Sequence, residues 1–146
     1  MSKKLLITGA LGHIGSNLIH SMRSGEYDEV RMVDNLSTQR YATLFNLPSG
    51  INFKFFDSDI LKADLKMLTE SVDYVVHLAA ITDAPSSFKR RKEVEQVNYV
   101  GTKLVAEACL ANGASLIFPS TTSVYGSQSM IVDETCPIDE LMPQSP

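Results

Sequence analysis

Residues Lys3–Ser16 read KKLLITGALGHIGS, and their order decides what kind of sheet the chain can build. Leu5, Leu6 and Ile7 form an unbroken apolar run, which suits a strand buried on both faces rather than on one. Gly9, Gly12 and Gly15 follow at three-residue spacing. Glycine there lets the chain turn sharply and lets another group approach the backbone closely. A helical pattern begins directly afterwards, so unpaired N–H groups and the positive end of the helix dipole converge on one spot and stabilise an anion without a charged side chain. The dinucleotide fingerprint G-x-G-x-x-G works in this way; here the pattern is G-x-x-G-x-x-G, one residue longer between the first two glycines. His13 and Ile14 lie inside the anion-binding turn, and no separate chemistry falls to His13. Alone, the stretch also reads as a strand-turn-helix with packing glycines.

The chain has 146 residues, 44% of them hydrophobic, with a formal net charge of −4. That length predicts one domain over residues 1–146. The acidic balance offers no footprint for nucleic acid or an anionic membrane surface. No apolar run approaches the ~20 residues of a membrane span, and the start lacks the apolar segment of a signal peptide. The expectation is a cytoplasmic protein. Cys109 and Cys136 are isolated thiols without metal-ligand spacing, so no metal site is expected.

Moving outward from the glycines, Ile14, Leu18, Ile19 and Met22 share a helical face, and Ser24-Gly25 is the expected stop. Val30–Val33 reads as a second buried strand ending in Asp34, 19 residues after Gly15. An acidic residue about 20 positions on accepts hydrogen bonds from the adenosine ribose hydroxyls and repels a 2′-phosphate, which favours NAD over NADP. The competing role for Asp34, starting an Asx-turn into Asn35-Leu36-Ser37, is the weaker one. A short irregular helix is expected between Thr38 and Leu47, and a third strand over Ile51–Phe56. Asp59 then has two open roles, accepting a hydrogen bond from an adenine amino group or capping a helix over Leu61–Thr69.

Val72–Ala80, VDYVVHLAA, is the fourth strand, and its small terminal residues leave room for a nicotinamide ribose against the backbone. His77 sits inside that apolar strand with no acidic neighbour, which favours a hydrogen-bonded core histidine over a general base. The cations Lys89, Arg90, Arg91 and Lys92 read as a solvated face in preference to a phosphate site. A long helix should follow to Asn112-Gly113, with Val94, Val97, Val100, Gly101, Leu104, Val105 and Ala108 inward. Asn98 beside that stripe needs a partner, either a backbone group at a neighbouring strand end or a cofactor. Ala114–Phe118 is the fifth strand and runs into PSTTSVYG, whose hydroxyl side chains stand at the carboxyl end where ligands of such sheets bind. From Ser127 the chain is polar and proline-rich.

TGALGHIGS, VDNLS, SDI, HLAA, NYVGTKLVAEAC and PSTTSVYG, in this order, resemble the extended short-chain dehydrogenase/reductase family, the NAD-dependent epimerases and dehydratases of nucleotide sugars. The resemblance implies that Gly9, Gly12 and Gly15 cradle the pyrophosphate. It implies that Asp34 holds the adenosine ribose, with Asn35, Ser37 and Thr38 close by, and that Asp59 and Ile60 bind adenine. Leu78, Ala79, Ala80 and Thr82 would lie beneath the nicotinamide half, Asn98 would be the family's structural asparagine, and Thr121 would hydrogen-bond the sugar hydroxyl being oxidised.

The family's acid-base pair, Tyr-x-x-x-Lys, follows the Ser/Thr strand in a segment that often reads P-x-S-P-Tyr, and this chain ends at Pro143-Gln144-Ser145-Pro146. Tyr99 and Lys103 have the spacing but precede that strand, so their match is read as coincidence. The expectation is therefore the N-terminal, truncated part of such an enzyme: an α/β, doubly wound parallel sheet (Rossmann) of about five strands in the order 3-2-1-4-5. It should bind NAD but not turn over a nucleotide sugar. A dinucleotide-sensing module is the main alternative, and an NADP-dependent reductase is disfavoured by Asp34. Leu116, Ile117 and Phe118 should border an uncovered sheet edge, a route to a homo-oligomer.

Overall fold

Strand β1 (Lys4–Thr8) is the centre of the sheet, and its residues from Leu5 to Thr8 are all buried. The computed structural model describes residues 3–82 and 90–120. Successive strand residues face opposite sides, and the apolar run of β1 serves both. Leu5 and Ile7 enter one core with Ile19, Met22, Val30 and Met32, while Leu6 enters the other with Val33, Leu68, Val75 and Val105. A strand that feeds two cores has no polar alternation to show.

Strands β2 (Glu29–Asp34), β3 (Asn52–Asp57), β4 (Tyr74–His77) and β5 (Ser115–Ile117) complete the sheet in the order β3-β2-β1-β4-β5. Every pairing is parallel. This is the expected doubly wound α/β order. Helix α1 (His13–Ser21) covers the Leu5 and Ile7 face, and α2 (Leu65–Thr69) lies over the opposite face. The chain builds β2 and β3 to one side of β1 and then crosses to β4 on the other. Connections leave β1 and β4 in opposite directions there, so a crevice opens at the strands' carboxyl ends.

Element ends differ from the sequence expectation for identifiable reasons. Helix α1 stops at Ser21, not at Ser24-Gly25, because Met22 takes an extended conformation (φ −67°, ψ 145°) and turns its side chain into the core. Ile14 is not on the inner face of α1; it is 66% exposed, and Gly15 takes the buried position beside it. The helix expected over 61–69 is only α2. Asp59 Oδ1 accepts the Leu61 N–H at 2.9 Å and closes a separate turn, and Asp64 Oδ1 accepts the Met67 N–H at 3.0 Å to start α2. Between Thr38 and Leu47 the regular part is a single 3-10 turn, Tyr41–Leu44.

The last helix is described as α3 (Arg91–Val94), a π-helical stretch Glu95–Gly101, and α4 (Thr102–Asn112). Gly101, Val105 and Ala108 are buried on its inner side, as expected, with Val97 and Leu104 half-buried beside them. A Cβ on Gly101 would stand 2.5 Å from Ile60 Cδ1, so this helix approaches the end of β3 too closely for any larger residue to fit without displacing Ile60. Gly113 ends α4 in the left-handed region (φ 70°), the expected stop. Among the described residues no helix is long and apolar enough to cross a membrane.

Candidate functional site

The three glycines after β1 have three different local jobs. Gly9 has φ 64°, and a Cβ there would lie 2.6 Å from the Ala79 nitrogen, so the turn after β1 presses directly on the chain leaving β4. A Cβ on Gly15 would meet the Ala10 carbonyl oxygen at 2.5 Å, so that glycine lets α1 close onto its own turn. Gly12 is the N-cap of α1 and supplies no side-chain cap, and the first turn carries no acidic residue. The first N–H groups of a helix lack intrahelical acceptors, and here no side chain of the cap satisfies them. They and the helix dipole favour an anion at this point.

Asp34 at the end of β2 is buried, and its two oxygens do separate work. Oδ2 accepts the Leu11 N–H at 3.0 Å, and Oδ1 accepts the Leu36 N–H at 2.9 Å. The Asx-turn considered as the lesser reading is thus formed, and the same carboxylate also fixes the glycine turn. Each carboxylate oxygen has a second lone pair, so both hydrogen bonds are compatible with further donors. Asn35 Oδ1 accepts the Ser37 N–H at 3.1 Å and shapes the loop that carries Ser37 and Thr38 to the crevice.

A cleft of about 540 Å³ opens at this end of the sheet. It brings together Gly9, Gly12, Asp34, Asn35, Ser37, Thr38, Asp59, Ile60, Leu78, Ala79 and Ala80, residues from four different strand ends. His13, Ile14, Gly15, Thr82 and Asn98 do not line it. Thr121 lies outside the described residues, as do Lys89 and the PSTTSVYG hydroxyls from position 121 onward. Asn98 meets the backbone requirement anticipated for it: Oδ1 accepts the Ile81 N–H at 2.8 Å and Nδ2 donates to the Ile81 carbonyl at 2.9 Å. It holds the stretch after β4 as a neighbouring strand would, from within the π-helical turn.

Sequence reasoning missed the far wall, which Arg90, Lys92, Glu93 and Gln96 contribute. Part of the charge run read as a solvated face therefore lines the cleft. Arg90 Nε donates to Glu93 Oε2 at 2.7 Å, and this guanidinium holds the Glu93 carboxyl below its ordinary range. The available signal was positional, since the helix that follows β4 in the chain can begin beside the crevice at the strands' carboxyl ends.

His77 is 2% exposed, and both ring nitrogens have partners: Nδ1 with Thr8 Oγ1 at 2.6 Å and Nε2 with Thr102 Oγ1 at 3.0 Å. Burial pushes its pKa below the usual imidazole value. It is the hydrogen-bonded core histidine that the sequence favoured, and it does not line the cleft.

The match to known proteins agrees with this geometry. The profile of the NAD dependent epimerase/dehydratase family covers residues 5–146, and the chain belongs to that family. The human dTDP-D-glucose 4,6-dehydratase is 38% identical over 145 residues, covering 93% of this chain and 41% of that protein. Among solved structures, the UDP-N-acetylglucosamine 4-epimerase of Methanobrevibacter ruminantium superposes with a TM-score of 0.85 at 31% identity, over 99% of this chain and 45% of its own. The UDP-glucuronic acid 4-epimerase of Bacillus cereus, solved with UDP-glucuronic acid and NAD, gives 0.81 at 33% identity, over 97% of this chain and 46% of its own. The chain spans 20% to 46% of the length of the curated relatives it matches.

Proposed function

We propose that this chain binds NAD in the cleft at the carboxyl ends of its strands and forms the cofactor-binding part of a nucleotide-sugar epimerase or dehydratase. The observation that carries the reading is the convergence, on one cleft, of an uncapped helix N-terminus, a buried carboxylate and a small-residue strand end. Gly12 and the first turn of α1 would hold the pyrophosphate. Asp34 accepts the adenosine ribose hydroxyls, and Asp59 with Ile60 borders adenine. Ala79 and Ala80 leave space for the nicotinamide ribose. The turn fits such a ligand, because Gly12 caps α1 without a side chain and leaves the first N–H groups of the helix to an anion.

A bound NAD would supply the hydride acceptor and donor for a sugar carbinol carbon. Thr121 supplies a hydrogen bond to the hydroxyl at that carbon but no base. Tyr99 and Lys103 precede Thr121 and are not taken as the acid-base pair, so these 146 residues are proposed to bind without turning over. A nucleotide sugar is the substrate of the complete enzyme on this reading, and a cytoplasmic setting suits it. Backbone amide spectra recorded during NAD addition test the site: shifts should concentrate at Gly12, Asp34, Asp59 and Ala79, and shifts confined elsewhere would reject it. Assays for epimerised or dehydrated nucleotide sugars should read zero; activity abolished by Tyr99→Phe would reject the silence and the dismissal of Tyr99 and Lys103.

A further inference from the structure

Four hydrogen bonds centred on His77 form a chain in which every proton can be placed. Thr8 Oγ1 accepts the Ala79 N–H at 3.3 Å. Its own proton is therefore free to point at His77 Nδ1, 2.6 Å away. On the other side, the Thr102 hydroxyl donates to the Asn98 carbonyl at 2.6 Å, so its oxygen is left to accept from His77 Nε2 at 3.0 Å. Only one tautomer satisfies all four contacts: Nδ1 bare, the proton on Nε2.

The position of this chain gives it leverage on the cleft. Thr8 immediately precedes Gly9, and the glycine turn lies against Leu78 and Ala79 so closely that a Cβ on Gly9 would stand 2.6 Å from the Ala79 nitrogen. Thr8 holds Ala79 from one side; Asn98, whose carbonyl the relay reaches through Thr102, holds Ile81 from the other. The two walls proposed to contact pyrophosphate and nicotinamide ribose are thus joined through one buried imidazole.

We infer that His77 is a positioning residue for the cofactor cleft: carrying its proton on Nε2, it accepts the Thr8 hydroxyl proton on Nδ1 and so fixes the oxygen that ties the start of the glycine turn to Ala79. This rests on the proposed NAD binding. Thr8 Oγ1 keeps the Ala79 N–H on one of its lone pairs while its proton is held by Nδ1. The groups facing the ring are Thr8 from β1, Thr102 from α4 and Phe118 just after β5, stacked at 5.8 Å between ring centroids. None is charged, so among the described residues no carboxylate stabilises an imidazolium there, and burial alone lowers its pKa.

Two measurements on the 146-residue chain test this. Nitrogen-15 spectra of the imidazole at pH 8 should show the proton on Nε2; a proton on Nδ1 would overturn the assignment. NAD affinity by titration calorimetry at pH 8 should fall about fivefold in His77→Ala, the factor one ordinary hydrogen bond is worth. In His77→Asn the amide oxygen stands in for Nδ1, so this variant should bind more tightly than His77→Ala. Thr8→Val should bind as weakly as His77→Ala. Wild-type affinity in His77→Ala would overturn the inference, as would equal losses in His77→Asn and His77→Ala. No NAD binding by the wild type at pH 8 would instead reject the site reading itself, and the inference with it.

Discussion

The Asp34 carboxylate accepts the Leu11 backbone N–H at 3.0 Å, so the acid at the end of β2 is physically part of the glycine turn after β1. The residue proposed to read the ribose therefore also fixes the loop proposed to hold the pyrophosphate. Two ligand contacts that look independent in sequence share one side chain.

Asp34→Ala should accordingly do two things. It leaves the Leu11 and Leu36 N–H groups without their acceptor, which should cost about 1–3 kcal/mol of stability in urea unfolding. It should also narrow the preference for NAD over NADP, since the charge that opposes a 2′-phosphate is gone. Unchanged stability would mean that the carboxylate does not brace the turn.

The glycines should separate fold from ligand. Gly15→Ala drives a Cβ to 2.5 Å from the Ala10 carbonyl and should lower stability by about 1–3 kcal/mol. Gly12→Ala meets only the Gly9 oxygen at 3.2 Å, so it should melt closer to wild type yet bind NAD more weakly. Thermal melts with and without NAD would check both, and equal melting losses would contradict the division.

Acid should destabilise the fold through His77. The native state keeps the imidazole neutral below its ordinary pKa of 6.5, because burial disfavours the charge. The unfolded chain takes up that proton first, so it binds more protons and stability falls with pH. The loss should start near 6.5 and level off below the native pKa. His77→Asn should remove that component from a pH series of melts, and an identical slope in the variant would show that other groups set it.

Strand β5 pairs only with β4 among the described residues, and Ile117 and Phe118 are each 52% exposed beside it. Unpaired backbone groups next to apolar side chains form a template for association. Sedimentation velocity should show concentration-dependent self-association that Ile117→Lys reduces. A monodisperse monomer at every concentration would count against an open edge.

The sheet was legible because its signals are local and redundant. The run Leu5–Ile7, the glycine turn and the strand-helix alternation all require parallel strands covered on both faces, and they gave the order found. Boundaries were less legible, since they depend on which residue wins a local competition. Asp59 and Asp64 each cap a turn, so one expected helix became a turn and a short α2. Ile14 has the spacing of a core residue, but Gly15 sits closer to the turn and takes the buried place. At the site, Asp34 was readable from its spacing to the glycines and Ala79 from the small residues that end its strand. Arg90, Lys92 and Gln96 were not, because what brings them to the cleft is the tertiary placement of their helix, and a run of cations looks the same on a solvated face.

The most direct measurement is titration calorimetry of the purified chain with NAD and with NADP at pH 8. The account predicts saturable binding of one NAD per chain, with NADP weaker. Absence of NAD binding, or NADP binding as tightly or more tightly, would contradict it.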